Sequence, residues 1–304
     1  MAYESDYLVD RRRLKRRLTF WRILAVVAIV AAIAAAFGRL GDSVVGGDFM
    51  ARVTIKGIIV QDDRRLQVLR DLAENNSVKA VILRIDSPGG TVVGGETLYR
   101  AILDLGSKKP VVAVMDGVAA SAAYMTAIAA DRLFAREGTL TGSIGVILQA
   151  TEVTKLLEMI GVTARSFKSG SLKAVPSPLE RITPDVEAAT QALIDEMYRM
   201  FRDMVLERRK MKPADASRFA DGRIFTGRQA LKNGLIDEIG GEEDAIAWLE
   251  SEKGVPAGLT VRRVKVDRDV DDLFDRLDSL ARKTILSERL TLDGLISVWH
   301  PQLR

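Results

Sequence analysis

Two side chains in this sequence point to covalent chemistry. They are Ser121, in Ala119-Ala120-Ser121-Ala122-Ala123-Tyr124, and Lys173, in Lys168-Ser169-Gly170-Ser171-Leu172-Lys173. A serine hydroxyl is a poor nucleophile until a base takes its proton. Imidazole is the usual base, yet the single histidine is His300, close to the C-terminus. A lysine is then the natural base, which favours a Ser–Lys dyad over a Ser–His–Asp triad. A free lysine titrates near 10.4, and service near neutrality requires the loss of about 3 units, roughly 4 kcal/mol. Burial among apolar groups has that effect, and Leu172, Ala174, Val175 and Pro176 flank Lys173. Taken singly, each residue has a plainer reading: Lys173 as a solvated loop lysine, Ser121 as a small residue in a packed helix.

Three further residues bear on the same chemistry. Gly89 and Gly90 close the run Asp86-Ser87-Pro88-Gly89-Gly90 after a strand-like segment. Successive glycines let a backbone approach another group closely. Their amides can form an oxyanion hole for a tetrahedral intermediate; the plainer reading is an ordinary strand-to-helix turn. Ser143, in Thr141-Gly142-Ser143-Ile144-Gly145, can accept a hydrogen bond from Lys173 and orient it, or simply support a turn.

The elements that must position these residues alternate between strand and helix. Strands are expected at Arg52–Val60, Ala80–Ile85, Val111–Met115, Leu133–Ala135 and Ser143–Leu148. Helices are expected at Leu66–Leu72, Gly94–Leu105 and Ala119–Ala130, with Ser121 near the start of the last, where a helix dipole favours negative charge. This alternation predicts a parallel-rich α/β sheet with right-handed crossovers. Pro184–Lys210 reads as a long helix capped by Thr183. Its stripe of Val186, Ala189, Leu193, Met197, Met200 and Met204 reads as core packing. Thr226-Gly227-Arg228-Gln229 is a capping box, and Gly234 suits the end of the short helix it opens. Val270, Leu273, Phe274, Leu277 and Leu280 form a late amphipathic stripe.

Charge and hydropathy divide the chain. Residues 1–22 carry seven basic and three acidic side chains, a net of +4 that equals the net charge of the whole. The remainder therefore has no basic excess, which argues against a nucleic-acid surface. Ile23 to Phe37 is unbroken apolar sequence, extended upstream by Leu18, Phe20 and Trp21. About 20 such residues span roughly 30 Å of hydrocarbon as a helix. The preceding basic cluster keeps the N-terminus cytoplasmic and places the chain from Gly38 onward outside. The competing reading is a cleaved signal peptide, with Ala34-Ala35-Ala36 as the cleavage site. Gly38 to Gly47 is a glycine-rich linker. The absence of cysteine excludes disulfides, thiolate catalysis and cysteine metal sites.

In this order, the segments Asp86–Gly90, Ala119–Ser121, Leu140–Val146, Lys168–Gly170 with Lys173, and Asp221–Gly222–Arg223 through Ala230 resemble the signal peptide peptidase A family in its short, single-domain form. The resemblance covers about residues 50–250. It implies a ClpP/crotonase-like α/β fold, which would follow the N-terminal transmembrane helix expected from hydropathy. It implies Ser121 as nucleophile, Lys173 as general base, Ser143 as the residue holding that lysine, and Gly89 or Gly90 as oxyanion donor. Lys168 is the rival base, but it opens the Lys-Ser-Gly segment, and the base maps to Lys173. Ala122 and Ala123 depart from the glycines of many relatives and bear on substrate fit. The resemblance also implies a homo-oligomeric ring, with Ser121 and Lys173 within one subunit or meeting across a boundary.

The expected division is a basic cytoplasmic tail (1–22), an anchor (23–40), a peptidase domain (41–255) and a C-terminal extension (256–304). The expected function is a serine endopeptidase anchored in the cytoplasmic membrane, its catalytic domain periplasmic. It would degrade signal-peptide remnants and other short hydrophobic peptides, without metal or cofactor. Two alternatives are a non-catalytic anchored ring scaffold and a crotonase-type enzyme acting on acyl-CoA thioesters.

Overall fold

A computed structural model describes residues 21–29, 47–266 and 296–298. The chain forms two units, Met1–Gly47 and Asp48–Arg304. In the first, residues 21–29 are helical, with Trp21, Ile23, Val26, Val27 and Ile29 exposed. Among the described residues no helix is long and apolar enough to cross a membrane. Most of the basic tail, the rest of the expected anchor, nearly all of the linker and the Val270–Leu280 stripe lie outside the described residues.

Among the described residues, the second unit is built on a nine-stranded, mostly parallel sheet. Its first strands and helices are β1 (Phe49–Ile59), α1 (Asp63–Glu74), β2 (Val78–Thr91), α2 (Val92–Gly106), β3 (Val111–Ala120) and α3 (Ala122–Ala127). Then come β4 (Arg132–Ala135), β5 (Leu140–Gly142), α4 (Thr154–Met159) and the long α5 (Pro184–Arg208). A 3-10 turn (Pro213–Arg218) leads to β6 (Ile224–Thr226), α6 (Gly227–Lys232), β7 (Glu238–Ile239), α7 (Glu242–Glu252), β8 (Thr260–Val264) and β9 (Ile296–Val298). The sheet order is β6-β5-β3-β2-β1-β8, with β4 beside β3, β7 beside β4 and β9 beside β2. β8 falls in the segment expected to be a C-terminal extension, and it pairs in parallel with β1.

The central strands are apolar at nearly every position because both faces are covered. Successive side chains of a strand point to opposite faces. Val81, Leu83 and Ile85 of β2 therefore join Val111, Ala113 and Met115 of β3 in the larger core. Ala80, Ile82, Val112 and Val114 face the other way and meet Ala245 and Leu249 of α7.

Four local differences from the sequence expectations bear on function. The Ser87–Gly90 segment is not a turn but the end of β2, which continues to Thr91 alongside β1 (Ile58↔Gly89, Ile59↔Gly90). Gly90 is held to glycine by that pairing, since a Cβ there would lie 1.8 Å from the Ile59 carbonyl oxygen. The helix expected over Ala119–Ala130 shrinks to α3, because Ala119 and Ala120 stay in β3, paired with Ser87, Thr141 and Gly142. The strand expected at Ser143–Leu148 falls instead at Leu140–Gly142. In α5 the stripe is buried at its ends and not in its middle: Val186, Phe201, Val205 and Leu206 are buried and Met200 and Met204 pack partly, while Ala189 and Leu193 are exposed. The Thr226 capping box forms as expected.

α3 is wholly buried. A Cβ at Gly95 of α2 would come within 2.9 Å of the Ala122 Cβ, so the two helices meet through their smallest side chains. The Tyr124 hydroxyl donates to the Leu235 carbonyl at 2.7 Å, and burial holds its ionisation far above the ordinary tyrosine range. Beyond α3, Arg208 donates to the carbonyls of Ile128 (2.8 Å), Ala129 (3.1 Å) and Ala130 (3.0 Å). These three carbonyls belong to the turn that follows α3.

Tyr124→Phe removes the hydroxyl that ties α3 to the Leu235 loop and strands a buried carbonyl. It is expected to lower unfolding free energy by about 1–2 kcal/mol, read from the urea midpoint at unchanged m-value.

Candidate active site

Ser121 stands at the junction of β3 and α3, with 1% of its surface exposed. Its backbone is at φ 57°, ψ −124°, a conformation rare for a residue with a Cβ. Such a conformation costs of order 1–3 kcal/mol and persists only when the surroundings over-determine it. Here they do. The Ser121 N–H donates to the Gly142 carbonyl at 2.8 Å, and its own carbonyl accepts from Met125 N–H at 2.9 Å, opening α3. The side chain does not serve as the helix cap. A six-residue helix has a small dipole, so the strained turn, more than the helix field, sets the hydroxyl's placement.

Ser143 follows Gly142 directly, so the β3–β5 pairing (Ala120↔Gly142) brings it beside Ser121. It too has positive φ, 51°, and its N–H donates to the Arg223 carbonyl at 2.8 Å. Its side chain is largely buried and makes no hydrogen bond among the described residues.

Gly89 and Gly90 reach the same neighbourhood from β2. Ser87 pairs with Ala119, two residues before Ser121. Sequence reasoning assigns Ser87 no role. It is fully buried, and its hydroxyl donates to the Gly57 carbonyl at 2.6 Å and accepts from Gly89 N–H at 3.1 Å. The Gly89 amide is thereby engaged, and Gly89 adopts φ 115°. The serine is visible in the motif, but its partner Gly57 is 30 residues away.

Lys173 lies elsewhere, on an arm formed by residues 149–183. The arm is braced by its own contacts: Val153 N–H to Pro178 O (2.9 Å), Arg181 to Glu158 (2.9 Å), and Lys168 to Glu180. Lys173 is exposed, in a turn closed by its N–H on Gly170 O (3.1 Å) and followed by Ala174 at φ 57° and a cis Val175–Pro176 bond. Its amine makes no hydrogen bond or ion pair among the described residues. Lys168, the rival base, is committed to Glu180, and that hydrogen bond holds the Glu180 carboxyl below the ordinary range. The arm carries exposed Leu156, Met159, Ile160, Val162, Leu172 and Leu179, with Phe167 97% exposed.

The sequence matches the model of peptidase family S49 over residues 104–256, a span that contains Ser121, Ser143 and Lys173. A Synechocystis sp. protein provisionally named a protease, slr0021, is 39% identical over 220 residues, covering 72% of this chain and 78% of that protein. The chloroplastic serine protease SPPA of Arabidopsis thaliana is 34% identical over 241 residues, 79% of this chain but 36% of its own length. A ClpP1 mutant from Listeria monocytogenes superposes at a TM-score of 0.41 and 20% identity, over 64% of this chain and 92% of that one.

The strain at Ser121 has a measurable signature. Ser121→Gly and Ser121→Ala both remove the hydroxyl, but only glycine relaxes at positive φ. The glycine variant is expected to be more stable than the alanine variant by about 1 kcal/mol. Equal urea midpoints would contradict a strained backbone at this position.

Proposed function

Because the chain belongs to peptidase family S49, a family of serine-type peptidases, we propose that it is a membrane-anchored serine endopeptidase acting on short hydrophobic peptides such as signal-peptide remnants. A ClpP/crotonase-like fold goes with that reading. Ser121 is the nucleophile and Lys173 the base. The neutral lysine takes the hydroxyl proton as the oxygen attacks a peptide carbonyl. The developing oxyanion is held by backbone amides. With Gly89 N–H engaged by Ser87, the Gly90 amide is the assigned donor. Lys173 passes the proton to the leaving amine, and water, deprotonated by the same lysine, hydrolyses the acyl-enzyme.

The observation that carries this reading is the backbone of Ser121: a buried serine held at positive φ where a strand ends and a buried helix begins. Packing alone gives no reason to retain such strain, whereas a reacting hydroxyl does. The exposed lysine supports a dyad shared between subunits. A lysine base needs an apolar, desolvated site, and the uncovered apolar side chains around Lys173 need a partner surface. A second copy packed on the arm satisfies both, delivering Lys173 to the Ser121 and Ser143 of its neighbour. The apolar run from Ile23 to Phe37, helical over its described part, supports the anchor.

The test is hydrolysis of a fluorogenic hydrophobic peptide by the full chain in detergent. Ser121→Ala and Lys173→Met should each lose about 10³-fold or more in kcat. A fluorophosphonate should label the parent protein and not Ser121→Ala. Mixing the two inactive variants before assembly should restore part of the activity, since mixed assemblies regain complete dyads. Unchanged turnover in either variant would defeat the dyad, and absence of rescue would place both residues in one subunit.

A further inference from the structure

The carboxyl ends of β1 and β8 enclose a cleft of about 470 Å³ whose lining includes none of the candidate catalytic residues. The two strands run in parallel, with Arg52↔Arg263 and Val53↔Val264 in register. Open α/β sheets bind their ligands at this end of the strands. Alternation along each strand puts Thr54 and Lys56 on the same face as Arg263. Lys265 lies just beyond the end of β8, and Arg65 enters from the first turn of α1. Lys56, Arg65, Arg263 and Lys265 give the lining four cations and, among the described residues, no carboxylate.

Two of these charges are answered by neighbours. Arg65, only 7% exposed, meets Asp62 at 3.4 Å, and Lys56 lies 3.8 Å from Asp86. Arg263 and Lys265 are exposed and make no hydrogen bond or ion pair among the described residues. Like charges gathered in a cleft raise the local concentration of anions. A single carboxylate meets one cation and leaves the other unmatched. A phosphate group carries about −1.5 to −2 charges at pH 7 and three strong acceptor oxygens, and the guanidinium fork matches it bidentately. The volume falls in the range of small-molecule sites. Residues beyond 22 sum to zero net charge, without the basic excess that a nucleic acid needs.

We propose that this cleft binds a small phosphate-bearing ligand, with Arg263 and Lys265 supplying the charges that the phosphate group neutralises. A free phosphate compound and a phospholipid headgroup share that chemistry, so the probes below separate the two. The site stands or falls independently of the peptidase reading, since Ser121 takes no part in it. Its cations face solvent, so binding weakens as salt rises.

The experiment is a calorimetric titration of the full chain in a neutral detergent at fixed ionic strength. The probes are inorganic pyrophosphate and dihexanoyl phosphatidic acid, with acetate and dihexanoyl phosphatidylcholine, whose headgroup carries no net charge, as controls. Pyrophosphate or phosphatidic acid should bind saturably with a Kd of about 1 mM or below, and the controls should not. Arg263→Glu combined with Lys265→Glu should weaken that binding at least about tenfold. Lys265→Glu alone, outside β8, should weaken it several-fold without touching the sheet. Lys232→Glu on α6 should leave it unchanged. The bound probe should slow amide exchange over residues 54–57 and 263–266. Binding of pyrophosphate alone sustains the site for a free phosphate compound, and displacement of pyrophosphate by phosphatidic acid sustains it for a headgroup. Binding of neither probe to the parent chain overturns the proposal, including the case in which Asp267, Asp269 and Asp271 of this chain already meet those cations. Equal weakening by Lys232→Glu, or slowed exchange confined to other segments, overturns it as well.

Discussion

Everything about the candidate site depends on one backbone constraint, the positive φ of Ser121 between β3 and α3. A residue with a Cβ does not rest there unless forced, and the forces are identifiable. On one side, the Ser121 N–H is tied to Gly142 through the extension of the β3–β5 pairing. On the other, α3 is fixed within the core and cannot slide to relieve the turn. Alanine and glycine at the α2–α3 contact permit that close approach, Tyr124 ties α3 to the Leu235 carbonyl, and Arg208 gathers the carbonyls just past its end. The run of small residues around Ser121 thus has a mechanical role, bringing elements close enough to hold a strained turn rigid.

The length of β2 is the second determinant. By continuing past Asp86 to Thr91, it carries two glycines beyond the point where β3 departs, close to Ser121. Ser87 stabilises that extension from within, linking β1 at Gly57 to the Gly89 amide. A chain with an exposed edge must cover or use it. β9 covers it here with the chain's own backbone. The arm faces the same problem with side chains: its hydrogen bonds are internal, and its apolar groups are uncovered.

The parts of this protein legible in its sequence are those set by local physics. Alternating hydrophobicity and its breaks place β1, α2 and the starts of β2 and β3 within a few residues but miss the extensions of β2 to Thr91 and β3 to Ala120, and the capping residues place the starts of α5 and α6. The lack of a usable histidine makes a lysine the expected base, and the matched family span contains Ser121, Ser143 and Lys173. The features that escape sequence reasoning are of another kind. The small-residue run after β3 carries no periodicity, so strand and helix are indistinguishable across Ala119–Ala130. The glycine pair suggests a turn because glycine favours turns; β1 makes it a strand.

Composition therefore determined which reagents the chain has to offer, serines and lysines without a usable imidazole, because residue types are written directly in the chain. Tertiary structure decided where each of them stands. Pairing between segments far apart in sequence bent the backbone at Ser121, tied the Ser87 hydroxyl to the Gly57 carbonyl and set β9 beside the end of β2. It also left Lys173 on an exposed arm. Such long-range pairings depend on which strands become neighbours, and no local pattern of residues encodes that choice.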